Sequence, residues 1–244
     1  MTTTQHIVIF GATGGTGLEI VYQALQKGHH VTVLCRDPSK LLVPPASGHA
    51  ESGKHLVSPR LHVVVGDATK ASDVASALES TSLPITSVVV ALGGKFGVKK
   101  RSVLATATKN IINAMKANDA RKARLLVITS IGAGDTEHLV PFDFKVIKAT
   151  LLRAEFADKN SQESLFLAPG APGSDLSFTI IRPPSLVDKP PVGMPSILDD
   201  NQKRLKTAHA TRADVATICI KAATDATWEH SGKAVNIDGL RRAV

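Results

Sequence analysis

Residues 6–17 read HIVIFGATGGTG, an apolar run that ends at glycines spaced three residues apart. Residues 6–10 have the composition of a buried β-strand, and residues 18–27 have the apolar spacing of a helix. Between them, Gly11 permits a tight turn, Gly14 lets the backbone approach a diphosphate, and Gly17 lets the helix pack closely on the sheet. Because free N–H groups and the positive end of the helix dipole face this turn, the segment predicts a dinucleotide-binding βα unit. The alternative is a tight turn that binds no ligand.

Strand and helix patterns alternate along the rest of the chain. Further strands are predicted at residues 31–34, 61–65, 87–92, 125–129, 177–181 and 234–237, and helices at 71–79, 102–117, 142–158 and 214–224. This alternation predicts an α/β fold: a Rossmann-type doubly wound parallel sheet with helices on both faces. We expect a single domain over residues 1–244, with its core within 5–182 and a small C-terminal substrate-covering lobe at roughly 183–210. The Pro- and Gly-rich stretches 42–60 and 161–174 are predicted to be surface loops.

Composition argues against several classes of protein. The net charge is +8, but the basic residues are scattered and do not alternate with aromatic residues, so we expect no nucleic-acid partner. Two cysteines cannot build a disulfide framework and suggest a reducing compartment. We find no apolar run that could span a bilayer and no signal-peptide pattern, so a cytoplasmic location is expected, with no membrane association. The nine histidines lack metal-ligand spacing, and no metal site is expected.

The residues after the second predicted strand indicate which cofactor binds. A unit specific for NAD usually places Asp or Glu there, to accept a hydrogen bond from the ribose 2′-hydroxyl. Here Arg36 follows the strand, and Ser39 and Lys40 lie close to it. A guanidinium can hold a 2′-phosphate through charge-assisted hydrogen bonds, whereas Asp37 is placed to cap the turn at Pro38. The pattern therefore favours NADP(H), with a solvated arginine as the alternative.

Three segments, residues 7–17, 31–37 and 65–67, resemble the atypical short-chain dehydrogenase/reductases. Within that family, residues 6–188 are similar to the NAD(P)H-binding, NmrA-like group and to the flavin/biliverdin-IXβ reductases. The resemblance also extends to residues 211–216, where Asp214 would cap a late helix. It implies that the diphosphate is held by Gly11, Thr13, Gly14, Gly15, Thr16 and Gly17, the 2′-phosphate by Arg36, Ser39 and Lys40, the adenine by Asp67 and Ala68, and the nicotinamide half by Leu92, Gly93, Gly94, Thr129, Ser130, Pro183 and Pro184.

The candidate catalytic residues depart from the pattern of this family. Tyrosine-type members use a Tyr-x-x-x-Lys pair, in which the lysine lowers the tyrosine pKa, but Phe144 stands in the tyrosine position of residues 144–148. The resemblance implies that Ser130 lies beside the nicotinamide and that Lys148 contacts the ribose. Ser185 stands where the flavin/biliverdin-IXβ reductase has a histidine. The structural alternatives are that Ser130 caps the next turn and that Lys148 is a solvated helix residue.

These features predict an NADPH-dependent reductase that transfers hydride to a conjugated small-molecule acceptor, of the flavin, quinone, tetrapyrrole or enone type. Such acceptors delocalise the incoming charge, so a strongly acidic side chain is less necessary. Two alternatives stay open: an NADP-binding redox sensor without turnover, and a non-redox isomerase or cyclase on the same fold. We expect a monomer or a weak homodimer, and a small-molecule substrate.

Overall fold

The computed structural model describes residues 3–44, 48–93, 102–198, 205, 207 and 209–239. Within them the strands are β1 (His6–Phe10), β2 (His30–Cys35), β3 (Leu61–Val65), β4 (Ser87–Val90), β5 (Arg124–Ile128), β6 (Phe178–Arg182), β7 (Ser185–Val187), β8 (Ser196–Leu198), β9 (His209–Thr211) and β10 (Lys233–Asp238). The α-helices are α1 (Gly15–Gln26), α2 (Ala71–Glu79), α3 (Val103–Ala117), α4 (Phe142–Thr150), α5 (Arg153–Leu167) and α6 (Arg212–Thr224). No described helix is long and apolar enough to cross a membrane.

The main sheet has eight strands in the order β3-β2-β1-β4-β5-β6-β10-β8. All neighbouring pairs are parallel except β10 and β8, which are antiparallel. The strand order turns back at β1 and β4, because β2 and β3 extend the sheet on one side and β4, β5 and β6 extend it on the other. In doubly wound sheets, this switch point opens a crevice at the carboxyl ends of the strands. The predicted doubly wound fold is confirmed.

The apolar core lies in two layers, one on each face of the sheet. Strand β1 shows why: Ile7 and Ile9 belong to the layer under α1 and α6, whereas Val8 and Phe10 belong to the layer under α2, α3 and α5. Successive strand side chains point to opposite faces, so a strand that is apolar throughout needs cover on both sides. Helices therefore cover both faces, as expected.

One predicted helix and one predicted loop are wrong. The helix expected over 142–158 is divided at residues 151–152 into α4 and α5, and α5 continues to Leu167, well inside the loop expected over 161–174. The apolar pattern fails in α5 because several of its buried positions are polar, among them Lys159, Gln162 and Glu163. The turn after the helix contains Gly170, whose φ is +67°, so the loop prediction holds only for the second half of that segment.

We expected the core to lie within residues 5–182, but elements after β6 also contribute to it. Strand β10 lies inside the main sheet between β6 and β8, and α6 packs on α1. Only β7 and β9 form a separate two-stranded sheet in the region expected to be a lobe. The expected cap of α6 is also different: Thr211 accepts a hydrogen bond from the Asp214 backbone N–H, while the Asp214 carboxylate accepts from the backbone of Val192.

Candidate dinucleotide site

The glycine turn between β1 and α1 is tightly packed. Gly11 has a φ of +89°, and a Cβ atom there would lie 2.5 Å from the carbonyl oxygen of Ala91. A Cβ atom on Gly17 would lie 2.1 Å from the carbonyl oxygen of Gly11. Helix α1 begins with Gly14 as its N-cap, with no side-chain hydrogen bond from the cap and no acidic residue in the first turn. The helix start therefore presents backbone N–H groups that an anion can satisfy.

The residues implied in cofactor binding follow the parallel strands at one edge of the sheet. The register pairs Phe10 with Leu34 on one side of β1 and with Val90 on the other, so these strands end at the same level. The turn 11–17, Arg36, residues 66–68, 92–93, 129–130 and 183–184 all lie just beyond the carboxyl ends of their strands. Gly94 lies outside the described residues. The candidates for the diphosphate, the adenine and the nicotinamide therefore follow strands at the same edge of the sheet, and their contacts with a cofactor stay a prediction.

Just after β2, Arg36 is exposed, and the nearby Ser39 and Lys40 both contact Asp37. The Asp37 carboxylate caps the next turn by accepting from the Ser39 N–H at 3.1 Å, and Lys40 Nζ lies 3.0 Å from the second carboxylate oxygen. The expected capping role of Asp37 is confirmed. The hydrogen bonds from Ser39 and then Lys40 lower the pKa of Asp37. Of the three residues expected to bind a 2′-phosphate, Ser39 and Lys40 already contact the Asp37 carboxylate. Arg36 is therefore the one most accessible to a phosphate.

The candidate adenine residues have structural partners of their own. The Asp67 carboxylate accepts from the backbone N–H of Thr69 at 2.9 Å and from its hydroxyl at 2.8 Å. The backbone N–H of Asp67 donates to Asp73, and the Ala68 carbonyl accepts from Asn110. These hydrogen bonds fix the backbone of residues 67–69 just after β3, and their contact with adenine stays a prediction.

The three candidate catalytic residues each have a different structural environment. The Ser130 hydroxyl donates to the Ile131 carbonyl at 3.0 Å, and Ser185 is exposed in β7, opposite His209 of β9. Lys148 Nζ donates to the Gly132 carbonyl at 2.6 Å. Within the described residues, Ser130, Lys148 and Ser185 share no direct hydrogen bond.

The aromatic residues beside Lys148 explain its position. Phe144 packs edge-on against Phe156, with ring centroids 6.0 Å apart, and Lys148 Nζ lies 5.0 Å from the Phe156 centroid. The Lys148 side chain is only 12% exposed and lies 3.4 Å from Glu137. Lys148 is therefore not a solvated surface lysine, and its contact with a ribose stays a prediction. Phe144 occupies the acid position and makes an apolar contact there.

A second lysine, which the sequence analysis missed, extends from α5 to the end of β5. Lys159 is buried in α5, with Nζ 3.4 Å from the Thr129 carbonyl and 3.8 Å from Glu155. Burial lowers its pKa, against the opposing charges of Glu155, Glu163 and Asp158. Glu155 and Lys159 have the same four-residue spacing as a Tyr-x-x-x-Lys pair, and that spacing was the signal available in the sequence.

A buried ion pair lies at the carboxyl ends of β5 and β6. Arg182 is 1% exposed and Glu163 is 2% exposed. Arg182 Nε donates to Glu163 Oε1 at 3.0 Å, Nη2 donates to Oε2 at 2.6 Å, and Nη1 donates to Asp135 at 2.8 Å. The Thr129 hydroxyl donates to the same Glu163 carboxylate at 2.7 Å. The pair therefore fixes the residue that precedes Ser130.

A cavity of about 720 Å³ in the described part of the chain does not lie over the glycine turn. It lies beside α5 and reaches the start of β10, with Asp135, Asn160 and Glu163 in its lining. The guanidinium of Arg182 also faces this cavity but is already paired on both sides. Among the described residues, no three His, Cys, Asp or Glu side chains cluster as metal ligands would.

Comparison with solved structures identifies the fold. The chain is similar to ChuY, an anaerobilin reductase from Escherichia coli O157:H7, at 22% identity and a TM-score of 0.70, covering 98% of this chain and 100% of that one. It is also similar to a short-chain dehydrogenase/reductase from Veillonella parvula DSM 2008 in complex with NADP, at 14% identity and a TM-score of 0.70, covering 99% and 98%. The oxidoreductase ylbE from Lactococcus lactis matches at 17% identity and a TM-score of 0.70, covering 98% and 93%.

The family follows from the sequence itself. The model of the NAD(P)H-binding family matches residues 11–226, which include the glycine turn, the carboxyl ends of β2 to β6, and α6. The match therefore covers most of the chain and the whole predicted dinucleotide site. The protein belongs to the NAD(P)H-binding family.

Proposed function

We propose that the protein is an NADPH-dependent reductase that transfers hydride to a conjugated small-molecule acceptor, of the flavin, quinone, tetrapyrrole or enone type. The observation that carries this proposal is the uncapped start of α1 behind the glycine turn, with Arg36 exposed at the end of the neighbouring strand. When bound, the dinucleotide would supply the hydride. The NADP complex of the similar Veillonella protein supports the choice of cofactor.

The residues of this chain would divide the cofactor between them. The first-turn N–H groups of α1 would hold the diphosphate, since an uncapped helix start favours an anion. Arg36 would hold the 2′-phosphate, because its guanidinium can make several charge-assisted hydrogen bonds to phosphate oxygens. At the other end, Thr129 and Ser130 would place the nicotinamide.

The surroundings of Ser130 favour an acceptor that needs little acid catalysis. Phe144 has no proton to give, and it packs on Phe156. Helix α4, whose Lys148 donates to the Gly132 carbonyl, begins at Phe142, which is 81% exposed, and is followed by Leu151, which is 73% exposed. Exposed apolar side chains would suit a flat, conjugated acceptor, whose delocalised charge would leave the proton to Ser130 or to solvent.

A redox sensor that binds NADP without turnover is the second candidate. The observation that favours it is the same apolar acid position, at Phe144, together with a Ser130 hydroxyl that donates to a neighbouring carbonyl. A sensor would bind NADPH and consume none. Replacing Ser130 with alanine would leave a sensor unchanged, whereas in the reductase we expect turnover to fall while NADPH binding is retained.

We also propose that the protein acts in the cytoplasm as a monomer or weak homodimer. Both cysteines are unpaired and buried, as is usual in a reducing compartment. No nucleic-acid or membrane partner enters the proposal, which needs only a small-molecule substrate.

Arg36→Ala tests the choice of cofactor. A charge-assisted contact contributes about 1.5–3 kcal/mol, so NADPH affinity should fall roughly 10- to 150-fold while NADH affinity changes little. Titration calorimetry with both dinucleotides measures this. Arg121→Ala is the matched control, because Arg121 is an exposed arginine that pairs with Asp175, before β5 and away from the crevice. Equal losses for NADPH and NADH would contradict the proposal.

A further inference from the structure

Arg212, the first residue of α6, packs directly on the glycine turn. A Cβ atom on Gly15 would lie 2.7 Å from Arg212 Cδ and 2.9 Å from its Nε. Gly15 has no positive φ, so backbone conformation does not require a glycine at this position. The space that a side chain would occupy is instead filled by the arginine.

The electrostatics of this contact call for an anion. Gly15 is the first residue of α1 and Arg212 is the first residue of α6, so the guanidinium lies near the positive ends of two helix dipoles. Helix α1 has no acidic residue in its first turn. The charge is partly balanced by Asp188, whose carboxylate lies 2.7 Å from Arg212 Nη1. Both partners are partly exposed, and that exposure makes the pair weak and easy to exchange.

We propose that Arg212 is a second cationic contact for the dinucleotide, and that it binds the diphosphate at the start of α1. This inference rests on the dinucleotide site of the proposed function and adds a residue to it. Position separates the two cations: Arg36 follows β2, where the 2′-phosphate is expected, whereas Arg212 covers the turn between β1 and α1. Within the described residues, Arg212 donates one hydrogen bond, to Asp188, and its remaining N–H groups are available to phosphate oxygens.

Asp188 would then compete with the cofactor for the guanidinium. Asp188 follows β7, in the segment expected to cover the substrate. When a diphosphate replaces Asp188 as the partner of Arg212, this segment would lose its ion pair with α6. Removing the carboxylate should release Arg212 toward the phosphate. Asp188→Asn should therefore strengthen diphosphate binding, the opposite of the effect of removing Arg212.

Two cofactor fragments separate these roles. ADP carries the diphosphate without a 2′-phosphate, and 2′-AMP carries the 2′-phosphate without a diphosphate. Each fragment is titrated against bound NADPH, and the fluorescence of NADPH reports its displacement. For Arg212→Gln we expect ADP to bind about 10-fold more weakly and 2′-AMP to change less than about 2-fold. Arg36→Ala should give the reverse pattern. Gly15→Ala should weaken ADP binding in the unmodified background and have a smaller effect beside Arg212→Ala, because alanine lacks the Cδ and Nε atoms that the new Cβ would meet.

Arg121→Gln serves as the charge-matched control, and thermal unfolding of each variant without ligand checks that the fold is retained. A selective loss of ADP in Arg212→Gln, together with a gain in Asp188→Asn, would establish the contact. Equal effects of Arg212→Gln on both fragments, or no effect on either, would overturn it. If the unmodified protein bound neither NADPH nor ADP, the proposed function itself would fail.

Discussion

Replacing Glu163 with glutamine should destabilise the protein far more than a surface substitution does. The change removes the carboxylate that holds two N–H groups of Arg182 while the arginine, 1% exposed, stays in place. Burial alone would lower the pKa of Arg182, but its hydrogen bonds and ion pairs with Glu163 and Asp135 raise it, so the guanidinium is charged. Leaving a buried charge without its partner costs about 3–5 kcal/mol. For a chain of this size, that lowers the unfolding midpoint by roughly 6–20 °C.

The matched variants separate charge from shape. Asp135→Asn removes the exposed partner, whose side chain is 67% accessible, and should cost at most about 1 kcal/mol. Glu163→Leu combined with Arg182→Met removes both charges, so its loss should be smaller than the sum of the single losses by roughly 0.5–3 kcal/mol. Urea unfolding monitored by Trp228 gives these values, because this single tryptophan is buried and donates to Thr179 of β6. Additive losses, or a Glu163→Gln cost below about 1 kcal/mol, would refute the role assigned to the pair.

Three further predictions follow from packing and titration. Gly17→Ala should abolish measurable NADPH binding and cost about 1–3 kcal/mol, because its Cβ would lie 2.1 Å from a backbone oxygen of Gly11; binding calorimetry and urea unfolding test this. Burial lowers the pKa of His6 below its ordinary value of 6.5, so the unfolded state takes up the proton first and stability should fall as the pH drops below 6.5. His6→Gln should flatten that slope in unfolding experiments, and an unchanged slope would contradict it. Burial raises the pKa of Cys35, and that of Cys219 to about 12, so neither thiol should react with a disulfide reagent until the protein unfolds.

The parts of the fold that local sequence encodes could be predicted. The first βα unit is one example, because the apolar strand, the glycine spacing and the helix period lie within residues 6–27. The glycine constraint at Gly17 is likewise a contact between near neighbours in sequence, with Gly11. Asp37 could be assigned as a cap for the same reason, since its partner Ser39 is two residues away.

The parts of the fold that depend on residues far apart in sequence could not be predicted. Helix α5 buries Lys159 and Glu163, so its buried face is partly polar and the apolar period disappears. The partner of Glu163 is Arg182, on a different element, and nothing in the local pattern of either residue indicates the other. Arg212 reaches Gly15 only because α6 packs on α1, two elements at opposite ends of the chain. These residues lie beside the predicted site, so the sequence predicts the glycine turn but not the distant side chains that pack against this edge of the sheet.

NADPH oxidation by the purified protein would show whether it is a reductase. Flavins, quinones, biliverdins and enones are offered one at a time, and NADH is run in parallel. We predict oxidation that depends on the acceptor and is faster with NADPH than with NADH. Tight NADPH binding without turnover on any acceptor would contradict the reductase and favour a sensor or a non-redox enzyme.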